Sequence, residues 1–315
     1  MIFFIILIST LQKSVSIDQY TSIMSISRQN ISVVIVSFKS DQVIERCINS
    51  IDEEIEIIVI DNSNSEKFKK KIENKYKNVR CILSSENVGM GAGNNLGIKN
   101  VTKDYAFILN PDVILESDCI NEILISCSEI NSFAILAPIS SEEKFPNYKL
   151  EQNYEFNSLK PFKVKSVDGY AMLFNLKRLK QLNDFDFFDE NFFLYLENDD
   201  LCERLKKIGE NVFIVPKAKI NHLGGEGVNS KYKEEIEFSR NWHWMWSKFY
   251  FNKKHYGYLN AYKKVFLNLI SAKLKFLYYL ITFNSYKKKI YKMRLSGLVN
   301  SMIGKKSYYR PKLDD

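Results

Sequence analysis

From Ile31 onward, short uninterrupted apolar runs alternate with segments whose apolar residues recur every three to four positions. This alternation limits the possible folds more than any other feature of the chain. ISVVIVSF (31–38) is a run of the kind buried on both faces of a parallel sheet. In the next segment Val43, Ile44, Cys47, Ile48 and Ile51 keep helical spacing, with Ser40 and Asp41 placed to cap it. EIIVI (56–60), a lysine-rich helix near 65–77, VRCIL (79–83), a helix starting near Gly93, YAFIL (105–109), a helix at 118–130 and FAILAPI (133–139) continue the series. Strands alternating with helices build βαβ units, so the expected fold is α/β, with a doubly wound, mostly parallel sheet flanked by helices.

The order then breaks. Residues 140–162 read as loop, with Pro146 and Pro161, and VKSVDGYAMLF (164–174) reads as a strand pair or a strand with a turn at Asp168-Gly169. A helix around Tyr195–Ile208 and a strand at 211–216 follow. The five cysteines, Cys47, Cys81, Cys119, Cys127 and Cys202, are scattered and form no CxxC or Cys/His set. That pattern argues against a disulfide framework or a zinc site and suits a reducing cytoplasm. At the N-terminus the apolar stretch Met1 to Ile8 is shorter than a membrane span and lacks a basic flank. Residues 1–30 therefore read as a leader, disordered or an over-extended start, with a weak anchor as the alternative.

The net charge of +8 is unevenly distributed. From Lys248 to Asp315 there are 16 Lys and Arg against Asp314 and Asp315, leaving 29 basic and 35 acidic residues before Lys248. Residues 258–315 mix Tyr, Phe, Leu and Ile with Lys, and form a basic helical appendage whose partner is anionic. Lys273 and Lys275 interrupt the stretch Val265–Phe283, which fits an interfacial amphipathic helix better than a span. A basic, tyrosine-rich tail is also compatible with nucleic acid, but the acidic remainder of the chain would repel a polyanion, so no nucleic-acid partner is expected.

Ligands of open α/β sheets bind beyond the carboxyl ends of the strands, so the polar residues there carry the functional reading. The first two strands end in Ser37-Phe38 and Asp61-Asn62-Ser63. Asp61 is a turn or cap residue on the ordinary reading and a nucleoside contact on the functional one. Asn87 to Gly97 is glycine-dense and precedes a helix, but Asn94 stands where a dinucleotide fingerprint needs glycine. A close backbone approach to a nucleotide diphosphate remains compatible with it. Asn110-Pro111-Asp112 is either a turn or the end of a strand presenting a carboxylate to a hard divalent cation. Glu197, Asp199 and Asp200 open a helix, where they either cap it or, beside apolar walls, supply a general base. His222 follows a strand as one of only three histidines, and a lone histidine is most often structural.

Each signal is weak alone, but their order is specific. SVVIVSFKS, VIDNSNS, ENVGMGAGNNLGI, FILNPDV, VDGYAMLF, FDENFFLYLENDDLCERLKKIG, INHLGG and RNWHWMWSKFYFNKKHYG occur in that sequence. Over 31–257 the chain resembles the family 2 glycosyltransferases of GT-A fold, in particular the rhamnosyltransferase-like branch of bacterial surface-polysaccharide synthesis. The resemblance implies a donor-binding set of Ser37, Asp61, Asn87, Gly93, Asn94 and Asn110. It implies Asp112 and His222 as ligands of Mg²⁺ or Mn²⁺, and the Glu197–Asp200 cluster as the place of the base. The family usually writes Glu-Asp-x-Asp there, and this chain has Asn198 at the usual Asp. Asp199, one position away, is favoured over Glu197, with Asp200 in support.

The resemblance further implies an inverting transferase using a nucleotide-sugar donor, dTDP-rhamnose by branch, and a glycan or lipid-linked acceptor. It would work peripherally, on the cytoplasmic face of the plasma membrane. Asn198 also raises the reading of a non-catalytic partner protein. A GT-A nucleotidyltransferase is disfavoured because SFKSDQ follows the first strand, where that class expects a glycine- and Lys/Arg-rich loop.

Overall fold

The computed structural model describes residues 26–142, 146–151, 160–182, 185–224, 228–311 and 313. Its strands are β1 (Ile31–Ser37), β2 (Glu56–Asp61), β3 (Val79–Leu83), β4 (Tyr105–Leu109), β5 (Val113–Leu115), β6 (Ile135–Ser140), β7 (Tyr148–Lys149), β8 (Phe162–Lys163), β9 (Ser166–Val167), β10 (Ala171–Asn175) and β11 (Val212–His222). The helices are α1 (Ile44–Asn49), α2 (Glu66–Lys75), α3 (Met90–Lys99), α4 (Cys119–Glu129), α5 (Leu176–Leu179), α6 (Glu197–Lys207), α7 (Lys233–Tyr256), α8 (Tyr258–Ile281) and α9 (Ser285–Met302).

The main sheet runs β3-β2-β1-β4-β10-β6-β11-β5, with β8 against β11. The first four strands are parallel. Beyond them the sheet is mixed, because β10 runs antiparallel to both β4 and β6, and β5 antiparallel to β11. Strand pleating sends alternate residues of β1 to opposite faces. Val33 and Ile35 enter one core with Cys47, Phe68 and Ile72, while Val34 and Val36 enter the other with Ile98, Leu201 and Leu205. All seven residues of β1 are buried, which is why the run carries no polar alternation.

Register aligns the strand ends. Ser37 lies opposite Asp61, Ala171 opposite Leu109, and His222 opposite Val113. The last two pairings carry the loops before β10 and after β11 to the end of β4. There the Asn110 amide donates to the Tyr170 carbonyl at 2.9 Å, and the Leu223 amide to the Asp112 carbonyl at 3.0 Å.

Several local expectations change. Helix α3 begins at Met90, not near Gly93, because Gly89 takes φ +89° and turns the chain into the helix one turn earlier. Helix α1 begins only at Ile44, and neither Ser40 nor Asp41 caps it with its side chain. The stretch expected as loop contains β7, which pairs with β9, and β8 begins at its end. The strand expected at 211–216 continues to His222. The proposed leader falls almost wholly outside the described residues.

Helices α7, α8 and α9 pack together around Met245, Phe249, Ala261, Val265 and Leu298. At Gly297 the backbones of α9 and α7 nearly touch, and a Cβ there would overlap the Trp242 carbonyl. After α9 the chain turns back as a strap. The Trp246 indole N–H donates to the Lys305 carbonyl at 3.0 Å. His243 is fully buried, with Nδ1 paired to the Ser307 hydroxyl and Nε2 to the Tyr309 carbonyl, both at 2.9 Å. The Arg310 guanidinium lies 3.9 Å over the Phe193 ring. The segment after α9 is therefore bound closely to α7, and Arg310 reaches Phe193 on the segment before α6.

Candidate active site

A cleft of about 870 Å³ opens at the carboxyl ends of the parallel strands, between the Asn110–Asp112 turn, the segment leading into α6, and one face of α7. Asn87, Asn110, Asp112, Glu197, Asp199 and His222 all line it. The β5–β11 pairing brings His222 to Asp112, with Nε2 3.4 Å from Oδ1. The Tyr170 ring stacks on the imidazole at 4.1 Å and fixes its plane. Among the described residues no group of three or more ligating side chains exists. A carboxylate and an imidazole side by side could nevertheless hold a cation that takes its remaining ligands from a diphosphate and water. The nearby Asn110 Oδ1 is buried without a partner, an acceptor left open at the same corner.

Four residues expected at the donor lie behind the cleft wall. The Ser37 hydroxyl and Asn94 Oδ1 are buried and unpartnered, so they are unsatisfied polar atoms just under the lining. The Asp61 carboxylate accepts from the Ser63 and Ser65 amides at 3.1 and 2.9 Å, and burial raises its pKa despite those bonds. It shapes the turn after β2 and does not line the cleft. Gly93 is a correction too: a Cβ there would come 2.9 Å from Val36 Cγ1, so the glycine serves the approach of α3 to β1. Phe38, Ser40 and Asn62, which the sequence reading passed over as contacts, line the cleft instead.

The carboxylate cluster divides by environment. Tyr195 and Leu196 both adopt left-handed backbone, φ +70° and +66°, which costs non-glycine residues on the order of 1–3 kcal/mol each. Surrounding contacts hold this strained entry. The Phe193 carbonyl accepts from the Met90 amide at 3.0 Å, and the Leu194 carbonyl from the Ser247 hydroxyl at 2.8 Å. Glu197 follows immediately, nearly buried, with Oε2 unpartnered. Burial, with a smaller contribution from the charge of Asp199, pushes its carboxyl up to about 7. Asp199 differs, because both of its oxygens accept from the Lys149 ammonium at 2.7 Å. The two carboxylates thus differ from the sequence expectation that favoured Asp199: Glu197 keeps one oxygen without a partner in the cleft, and Asp199 is engaged by Lys149.

Asp200 is corrected outright. It is fully buried away from the cleft, bonded to Arg204 at 2.9 Å, Lys254 at 2.7 Å and His255 at 2.8 Å, and so ties α6 to α7. Asn198 donates its amide to the Val167 carbonyl at 2.7 Å and holds the start of α6 against β9. Sequence reasoning missed Lys149 and Arg240, and it read Asp168 only as a turn, yet all three line the cleft. Burial, then the nearby Asp199 charge, raises the Asp168 carboxyl.

The pattern of glycosyl transferase family 2 matches residues 32–204. The low-salt glycan biosynthesis hexosyltransferase Agl10 of Haloferax volcanii is 24% identical over 213 residues, 62% of this chain and 67% of that protein. Rhamnosyltransferase WbbL of Escherichia coli is 29% identical over 212 residues, 58% of this chain and 80% of that one. An N-acetylglucosaminyl-diphospho-decaprenol L-rhamnosyltransferase of Mycobacterium tuberculosis is 22% identical over 232 residues, 60% of this chain and 75% of that one. Among solved structures, the mannosyltransferase PcManGT of Pyrobaculum calidifontis, in complex with GDP-Man and Mn²⁺, shares the fold with a TM-score of 0.52. It is 10% identical and covers 87% of each chain. With more than half of its length matched by the family pattern, the chain belongs to glycosyl transferase family 2.

Proposed function

We propose that this protein is an inverting, metal-dependent glycosyltransferase that moves a hexosyl unit from a nucleoside-diphosphate donor onto a glycan or lipid-linked acceptor. The names of its relatives favour rhamnose as the sugar, and dTDP-rhamnose is the donor proposed with it. The observation that carries the reading is the presence in one cleft of the Asp112–His222 pair and of the buried Glu197, whose Oε2 has no partner. Inverting transfer is a single displacement. Glu197 accepts the proton of the acceptor hydroxyl, whose oxygen bonds to the anomeric carbon as the bond to the diphosphate breaks on the opposite side. A carboxyl near neutrality suits that task, being ionised in use yet basic enough to take the proton.

Asp112 and His222 would hold the cation, and Asn110 Oδ1 would accept a donor hydroxyl. When bound, Mg²⁺ or Mn²⁺ neutralises the departing diphosphate. The test is donor-induced thermal shift across nucleotide sugars with either cation. A metal-dependent shift with at least one of them supports the reading, and no shift with any member opposes it.

Residues 258–315 would place the enzyme at the anionic inner face of a membrane. Among the described residues no helix is long and apolar enough to cross one. Helix α8 instead turns Leu259, Leu267, Leu274 and Ile281 outward at regular spacing, and Phe283 after it is 90% exposed. Exposed lysines 263, 264, 273 and 275 interleave with them. Each basic residue near such a leaflet contributes roughly 1 kcal/mol, so replacing Lys263 and Lys264 with Gln should weaken binding to phosphatidylglycerol vesicles about tenfold or more. Point variants are the right tool because truncation would also remove the strap from the cleft. Equal binding of wild type and variant at low salt would contradict the membrane role.

A further inference from the structure

Arg240 lines the cleft and takes no part in the chemistry above. Among the described residues, the basic side chains that line the cavity are Lys149, His222 and Arg240. Lys149 is held by Asp199, and His222 lies beside Asp112. Arg240 has no hydrogen bond or ion pair to any described residue, although it is half-buried and a guanidinium in such a place ordinarily finds a carboxylate. Ile236, Arg240 and Trp244 stand four residues apart on α7, hence along one face of the helix, and all three line the cavity. Trp244 leaves 42% of its surface exposed there and meets Tyr195 edge-on at 5.5 Å. Pro311, at the end of the strap, adds a further apolar surface to the same cavity.

A cation beside an apolar wall, with no carboxylate partner among the described residues, fits an anion carried on a greasy chain. A free nucleotide is already provided for at the strand ends. We propose that Arg240, with Ile236 and Trp244 on the same face of α7, is the subsite for the phosphate group of a lipid-diphosphate-linked acceptor. The guanidinium forms paired N–H···O bonds to the phosphate, and the apolar face receives the first units of the lipid. This inference rests on the transferase reading, takes the acceptor class that a relative's name prints, and assigns residues of the cleft to it.

The test uses geranyl diphosphate as the probe and geraniol as its uncharged control. The full-length protein is first saturated with Mn²⁺ and whichever of UDP, dTDP or GDP it binds, so that the donor corner is occupied. Wild type should bind geranyl diphosphate and not geraniol, measured calorimetrically. Arg240→Ala should weaken that binding at least about tenfold, the scale of a lost charge-assisted pair, with nucleoside-diphosphate affinity unchanged. Arg240→Lys should restore part of it, and Trp244→Ala should weaken the probe while sparing the nucleotide.

If Arg240→Ala weakens the nucleoside diphosphate to the same extent, Arg240 belongs to the donor and the proposal is overturned. It is overturned equally if wild type ignores geranyl diphosphate, or if wild type and Arg240→Ala bind it alike. Failure of every nucleotide to bind wild type would instead oppose the transferase reading, and the dependence of geranyl diphosphate binding on Arg240 would still be measured.

Discussion

Glu197→Gln should lower turnover at least about a hundredfold while donor affinity stays near wild type, the scale of losing a general base. The wild-type rate should rise with pH through about 7, where the Glu197 carboxyl ionises, and the variant should lose that rise. Stability should move the opposite way to activity. The folded-state pKa of Glu197 lies above the usual 4.5, so the stability tied to its protonated form is complete below 4.5 and is lost as pH rises through about 7. An amide escapes that loss. Above neutrality Glu197→Gln should therefore gain stability, by up to about 3 kcal/mol for a shift of this size. Thermal melts at pH 5 and pH 8 would show it as a difference confined to the higher pH. Asp199→Asn makes the contrast, because it breaks the Lys149 pair but leaves the free carboxylate in place, and should keep turnover within about tenfold. Loss of turnover in Asp199→Asn with Glu197→Gln near normal would restore Asp199 as the base.

Asp112→Ala should nearly abolish transfer, by about a thousandfold or more, since charge neutralisation of the leaving diphosphate contributes several kcal/mol. Asp112 is almost buried at the end of β4, and its carboxylate faces His222 across 3.4 Å rather than supporting the core. Its removal should therefore spare the fold. The sharper readout is binding: Mn²⁺ should tighten nucleoside-diphosphate affinity in wild type and leave the variant unmoved. His222→Ala should act more mildly, raising the Mn²⁺ concentration needed without removing the response. Full wild-type activity in EDTA would contradict the metal role.

The parallel half of the sheet was legible because its strands are buried on both faces and their composition says so. VRCIL and YAFIL became β3 and β4 residue for residue. Helix α7 was not read, because it is buried on several sides at once. Trp242, His243, Met245, Trp246, Ser247 and Phe249 are all buried in it, and no single apolar stripe survives in the sequence. Strand β5 has three residues after a proline turn, too few for any periodicity.

In the site, strand ends drew attention to Asp112 and His222, and the family resemblance, not position, gave them and Asn110 their expected roles. The different environments of Glu197 and Asp199 were beyond sequence, because they depend on Lys149, which lies fifty residues away on β7, and on the two left-handed residues before α6. Gly93 misled because glycine serves close helix-to-strand packing and close ligand approach equally well, and only the neighbouring Val36 tells them apart.

The most direct test of the account is the proton NMR spectrum of the sugar product, taken as the full-length protein turns over whichever nucleotide sugar it binds in Mn²⁺. Release of the nucleoside diphosphate, with the product's anomeric configuration opposite to that of the donor and the reaction lost in Glu197→Gln, is the predicted result. Retention of configuration, or undiminished turnover by Glu197→Gln, would contradict a single displacement driven by a base in this cleft.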